Sequence, residues 1–217
     1  MNRITRVATA TAVAIGGLAA AAGAAIVPIT SNSSLSTEGL GAFVGTLDYN
    51  FLGGTTGQLD VTLTNTTAAA TGGYITAFMF RPPDELGAFG CSLISSSYAA
   101  MTNIPAGASG SPFPGPWIGG AGLGGSWLAG GAPGGGIAIG QTGSFSFTIT
   151  GANASMLTSD SFVSGDLVSD PYAFVVRFRG MEQGGSDKVP ANQLPAPGAL
   201  GLLGAAGLCG ATRRRRQ

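Results

Sequence analysis

Few residues in this chain are equipped for chemistry. Histidine is absent, which removes the Ser-His-Asp and Cys-His nucleophile arrangements and every imidazole metal ligand. Two cysteines, Cys91 and Cys209, are too few for a thiolate zinc site or a disulfide framework. Asp84 and Glu85 are adjacent carboxylates behind Arg81-Pro82-Pro83. A retaining glycosidase needs two carboxyls about 5–5.5 Å apart across the scissile bond, which neighbours on a loop rarely provide, so a solvated turn is expected. Asp160, Asp166 and Asp170 offer hard oxygens suited to Ca²⁺, but their spacing does not match an EF-hand loop. Ser186, Asp187 and Lys188 follow Gly184-Gly185. Adjacency does not build a Ser/Lys dyad, and the composition predicts a turn with a surface lysine.

Two pairs leave alternatives open. Arg177 and Arg179 share a strand face and suit either a carboxylate or anionic sugar, or a solvated face paired with acids on a neighbouring strand. Trp117 and Trp127 lie between Pro105 and Gly136, where Gly, Pro, Ser and Ala dominate. A loop of that length is uncommon in a compact domain. Its indoles suit sugar stacking, or they pin the loop onto the domain by burying apolar area. Asn32, Asn65 and Asn153 open Asn-x-Ser/Thr triplets, which a Ser/Thr-rich chain contains by chance. No catalytic, cofactor or metal set emerges, and the reading is a non-enzyme without a cofactor.

The elements that must position these residues read as strands. Leu59, Val61 and Leu63 alternate with Asp60, Thr62 and Thr64. Phe145, Phe147 and Ile149 alternate with Ser146, Thr148 and Thr150. Period-two patterning of this kind marks half-buried strands of antiparallel sheets. Tyr74–Phe80 is almost wholly apolar, and Tyr172–Arg179 places Tyr172, Phe174, Val176 and Phe178 on one face. Ala42–Phe51 is an earlier strand of weaker alternation. Leu93–Tyr98 and Pro133–Ile139 are candidate short edges. Ala154–Asp160 is the best helical candidate, of one or two turns. Five to eight strands separated by turn signals predict an all-β domain, a β-sandwich or jelly-roll with glycine-rich loops. About 160 residues can bury enough surface to fold without disulfides, and Cys91 is predicted to be a buried small hydrophobe.

The two flanks differ from the middle. The chain of 217 residues is formally neutral, with ten basic and ten acidic residues. Six arginines, however, lie near its ends: Arg3, Arg6, Arg213, Arg214, Arg215 and Arg216. The middle keeps all the acids and only Arg81, Arg177, Arg179 and Lys188. An acidic middle argues against nucleic acid as a partner. Residues 1–25 join a basic start, an uncharged Ala/Val/Ile/Leu stretch and the small residues Ala22-Gly23-Ala24. That pattern predicts a signal peptide, with signal peptidase as its partner. Residues 194–217 begin Leu194-Pro195-Ala196-Pro197, run uncharged from Gly198 to Thr212, and close on Arg213–Arg216 and Gln217. As a helix Gly198–Thr212 is roughly 22 Å long, a marginal membrane span. Its arginines hold it with the upstream chain outside, by the positive-inside rule.

This tail resembles a PEP-CTERM sorting tail, which is also catalogued as an ice-binding protein C-terminal domain. By that resemblance Pro195 and Pro197 are the two motif prolines, Gly198–Thr212 the membrane segment, and Arg213–Arg216 the cytoplasmic stop. Ala196 stands where the family usually has Glu. The resemblance implies an exosortase-type processing enzyme as partner and an address in the bacterial envelope. It implies no ice binding. More diffusely, Gly57–Thr66, Phe174–Gly180 and Gly184–Pro190 resemble stretches of planctomycete exported β proteins with such tails, from which no site residue is carried over.

The expectation is therefore a signal peptide at 1–25, an extracellular β-sandwich domain at 30–193, and a sorting tail with a hydrophobic helix at 194–217. The function expected is structural or adhesive, at the cell surface or in extracellular matrix. The alternative is a carbohydrate-binding module using Trp117 or Trp127. A carboxylate-dependent hydrolase is the third reading.

Overall fold

The computed structural model describes residues 25–82, 84–128, 130–163 and 171–194. The expected signal peptide, the sorting residues Pro195, Pro197 and Arg213–Arg216, and two of the three candidate calcium ligands, Asp166 and Asp170, lie outside them. Among the described residues there is no α-helix, and no helix long and apolar enough to cross a membrane.

The described chain is all-β. Its strands are β1 (Val27–Ser31), β2 (Phe43–Gly53), β3 (Thr56–Asn65), β4 (Gly72–Phe80) and β5 (Gly90–Ser96), followed by β6 (Met101–Ile104), β7 (Gly119–Leu123), β8 (Thr142–Thr150), β9 (Phe174–Met181) and β10 (Ser186–Gln193). They form one sheet in the order β5-β8-β3-β2-β1-β10-β9-β4-β7-β6, and every pairing is antiparallel. The two outermost strands, β5 and β6, are consecutive in the chain. Asn103 Oδ1 on β6 accepts the Leu93 amide of β5 at 2.8 Å, so the sheet curls until its edges nearly meet. Near-closure matters because an open edge is a template for unwanted pairing.

The alternating windows bury the faces they should. Leu59, Val61, Leu63, Phe145, Phe147 and Ile149 are all 2% exposed or less. The two halves of the curled sheet meet through phenylalanines. Phe78 of β4 stands edge-on to Phe145 of β8 at 4.8 Å, and Phe80 meets Phe147 at 4.9 Å. Phe78 also stacks on Phe174 of β9 at 5.7 Å.

Strand β4 is buried on both faces. A bulge between Ile75 and Ala77 resets its alternation against β9, as an inserted residue does. Ile75, Phe78 and Phe80 then face the main core, while Ala77 and Met79 join a second apolar layer outside. The Pro105–Gly136 stretch supplies that layer, and it is not wholly loop. Gly119–Leu123, the sequence GGAGL, is strand β7, with every residue buried. Glycine is a poor strand former, so composition conceals this strand. Its glycines are there for close approach: a Cβ on Gly120 would collide with the Phe78 carbonyl oxygen of β4. Gly120→Ala is expected to lower stability by about 1–3 kcal/mol, since overpacking displaces backbone here. A denaturant midpoint compared with that of an exposed glycine such as Gly134→Ala checks it.

Other expectations need correction. The Ala154–Asp160 helix is two 3₁₀ turns, Ala154–Met156 and Ser159–Phe162. Pro133–Ile139 is a 3₁₀ turn followed by isolated bridges at Ile137 and Ile139. Gly184–Lys188 runs from a turn directly into β10, because Ser186, Asp187 and Lys188 pair with Arg179, Phe178 and Arg177. Val27–Ser31, mostly ahead of the expected domain start, is a strand in the middle of the sheet order.

Candidate functional site

Four of the residues singled out for chemistry, Arg177, Arg179, Trp117 and Trp127, gather on the outer face of β4 and β9, beneath the glycine-rich segment. Val175, Arg177 and Arg179 alternate outward from β9 while Phe174, Val176 and Phe178 turn into the core. Arg177 is buried and Arg179 half-buried, and their hydrogen-bond partners among the described residues are backbone carbonyls rather than acids. Arg177 is 8% exposed, and its Nη1 donates to the Trp127 carbonyl oxygen at 2.6 Å. Arg179 Nη1 donates to the Gly131 carbonyl oxygen at 3.1 Å. Both expectations for this pair, an anion site and a solvated or acid-paired face, give way to a third role. The guanidinium donors clamp the carbonyls of a loop that has no ladder partner for them. Burial, and then the neighbouring Arg179 charge, lower the Arg177 pKa from its ordinary value.

The tryptophans sit under the same cover. Trp117 is 1% exposed and Trp127 2%, so neither ring offers an open face for sugar stacking. They pack with Met79, Ile104, Phe113 and Val175 as the second core, which is the pinning role. The Arg81 guanidinium lies 5.6 Å from the Trp117 ring centroid, within cation–π range. Trp127 Nε1 donates to the Ser111 carbonyl oxygen at 2.9 Å, whereas the buried Trp117 Nε1 has no hydrogen-bond partner among the described residues. Phenylalanine should therefore be tolerated better at 117 than at 127. Trp127→Phe leaves a carbonyl unpaired, and its cost is expected to exceed that of Trp117→Phe by about 1 kcal/mol, read as the difference between two unfolding midpoints.

Two grooves flank this cap. One, of about 430 Å³, is lined by Pro82, Asp84, Phe89, Pro116 and the edge of Trp117. The other, of about 310 Å³, is lined by Ile104, Pro105, Ser109, Trp127 and Leu128. Asp84 is exposed in a 3₁₀ turn, Asp84–Leu86, as a solvated carboxylate. Asp160 accepts from Gln193 Nε2 at 2.6 Å. Cys91 packs against Gly119 of β7, and burial pushes its thiol up to about 12. A thiol so held forms little thiolate at neutral pH.

Three arrangements were not visible in the sequence. Asp187 is fully buried instead of lying in a surface turn. Its Oδ1 accepts from Ser36 Oγ at 2.6 Å, from Thr37 Oγ1 and the Glu38 amide at 3.0 Å, and from the Lys188 amide at 2.7 Å. Its Oδ2 accepts the amides of Leu40 and Gly41 at 2.7 and 2.8 Å. Burial raises its pKa, but the hydrogen bonds from Gly41, Ser36, Glu38 and Leu40 outweigh that, and the carboxyl lies below the usual range. Asn65, one of the Asn-x-Ser/Thr asparagines, is also buried. It donates to the carbonyls of Gly73 and Ile137, so folding withdraws it from modification.

The third arrangement is the outer face of β2, β3 and β8. Thr46 and Thr62 hydroxyls meet at 2.6 Å, and those of Thr64 and Thr142 at 2.7 Å. Ser144 and Ser146 continue these rows by register. Asp48 stands opposite Asp60, each carboxylate receiving a neighbouring amide from Asn50 or Gln58. Strands lie about 4.8 Å apart, so this is a regular hydroxyl-rich platform. No family model matches the chain, and no curated protein is similar to it.

Proposed function

We propose that this chain is an exported, envelope-sorted, non-enzymatic protein with a structural or adhesive role at the cell surface or in extracellular matrix. In this reading residues 1–25 direct export and signal peptidase removes them. Residues 194–217 hold the product at the membrane, where an exosortase-type enzyme acts at Pro195-Ala196-Pro197 and Arg213–Arg216 stay cytoplasmic. The two halves of the curled sheet serve as the layers of a sandwich between these signals. The observation that best supports adhesion is the platform of β2, β3 and β8, whose ordered hydroxyls suit hydroxyl-rich matrix polymers. The groups best suited to other chemistry, Arg177, Asp187, Trp117 and Trp127, are engaged in holding the fold.

Fractionation of producing cells tests the reading. The expected product has lost residues 1–25 and lies outside the cytoplasm, in the membrane fraction for as long as it keeps residues 194–217. Serine at Arg213, Arg214, Arg215 and Arg216 should remove the stop and shift the product away from the membrane fraction. Intact chain dissolved in the cytosol would refute it. Glycan binding is a second reading, favoured by the groove that joins Asp84 to the edge of Trp117. Saturable binding on a glycan array, lost in Asp84→Asn, would establish it in place of the platform.

A further inference from the structure

The anchoring reading has a geometric consequence for one end of the sheet. Strands β1 and β10 lie side by side, and the Leu194 amide donates to the Pro28 carbonyl at 2.9 Å. Pro28 in turn lies opposite Thr46 of β2. Strand β2 continues past that level to its hairpin with β3. From Thr46 to Leu52 the overhang is roughly 20 Å along the strand, or about 15 Å along the axis of a barrel whose strands tilt near 40°. The chain from Leu194 to Gly198, where the apolar stretch begins, spans at most about 14 Å. The tether is thus no longer than the overhang. A domain held this closely to lipid brings its hairpin tip to the lipid as well.

The residues at that end fit such a contact. The tip is Phe51-Leu52-Gly53-Gly54, without charge. Phe51 is 43% exposed and Leu52 64%. Gly53 and Gly54 take positive φ, 117° and 58°, and so let the hairpin turn with little side-chain bulk. Met156 and Ile26 are each 60% exposed and belong to the same end. Tyr49 binds the Ala154 carbonyl beside Met156 at 2.7 Å, and Ile26 precedes Val27, which pairs with Leu47. Elsewhere the exposed large apolar side chains among the described residues, Leu40, Val44, Ile94 and Leu128, lie on other segments of the chain. Among the described residues, the exposed or half-buried charged groups Asp48, Asp84 and Asp160 at this end are acidic, and Arg81 there is buried. Attraction to anionic headgroups therefore plays no part.

We propose that the β2–β3 hairpin tip, with Met156 and Ile26, is a membrane-contacting rim that inserts into the interface of a neutral lipid surface. This rests on the tail acting as an anchor, and one experiment separates the two. Chain from Ile26 to Gln217, the form left once residues 1–25 are removed, is reconstituted with Cys91→Ala and Cys209→Ala into phosphatidylcholine vesicles. It carries a single nitroxide at Leu52→Cys or at Gln183→Cys, in the exposed turn at the opposite end. Collision with a water-soluble nickel chelate and with oxygen is then measured. In vesicles the expected result is several-fold weaker chelate collision at 52 than at 183, with stronger oxygen collision at 52 and no change in high salt. Vesicle-bound chain with equal chelate access at both positions overturns the rim and leaves the anchor standing. Chain that remains in the soluble fraction overturns both. Both positions are exposed, so neither label disturbs the core.

Discussion

Asp187→Asn is expected to destabilise the protein by on the order of 3–5 kcal/mol, although it changes one buried oxygen to nitrogen. The reason is the polarity of the site. Both carboxylate oxygens face donors only: two hydroxyls and the Glu38 and Lys188 amides on Oδ1, and the Leu40 and Gly41 amides on Oδ2. An amide has one acceptor oxygen. Whichever way it is flipped, its NH₂ opposes backbone N–H groups that cannot rotate away. The segment from Ser36 to Gly41, which leads into β2, would keep the Thr37–Lys188 hydrogen bonds to β10 but lose part of the set that it donates to the carboxylate. The acid dependence follows from the lowered pKa. A carboxyl whose folded pKa lies below its unfolded value stabilises the fold fully above the ordinary Asp range near 3.9. That contribution is lost as pH falls through the folded value. The difference between the native chain and Asp187→Asn should therefore be flat from pH 7 to 5 and shrink below about pH 4. Chemical denaturation at several pH values measures it, and a difference that grows in acid contradicts the assignment.

Why some of this was legible in the sequence and some not comes down to the range of the interaction. Leu59, Val61 and Leu63 declare a buried face through period two alone, because the pleat decides it within one strand. The register of β3 beside β8, which sets Asp60 between Asp48 and Ser146, depends on chain closure between distant segments and leaves no local trace. Arg177 and Arg179 announced donors, but their acceptors are backbone carbonyls, which every residue has. Asp187 sits in a composition, Gly-Gly-Ser-Asp-Lys, that local statistics give to turns, and all but one of its donors come from Ser36–Gly41, far away in the sequence. Strand β7 is hidden for the opposite reason. Its small residues are selected by the closeness of β4, which overrides the low strand propensity of glycine.

The second large effect lies where the two half-sheets meet. Phe78→Ala is expected to cost about 3–5 kcal/mol, more than the removal of any exposed apolar side chain. Phe78 is fully buried and touches rings from both halves: Phe145 and Phe147 on β8, Phe174 on β9 and Phe80 on its own strand. The flanking strands are tied by ladder hydrogen bonds and cannot close on the vacancy, so the cavity term adds to the lost transfer energy. Phe78→Leu, which refills most of the space without the edge-on contacts, should recover more than half of that loss. Leu52→Ala, at an exposed position, should fall within about 0.5 kcal/mol of the parent. Unfolding midpoints of the three variants order these costs. If Phe78→Ala matched Leu52→Ala, the sheet would not be held together by this phenylalanine layer. The near-closure between β5 and β6, with the Leu93–Asn103 hydrogen bond across it, would then have to carry the association of the two halves.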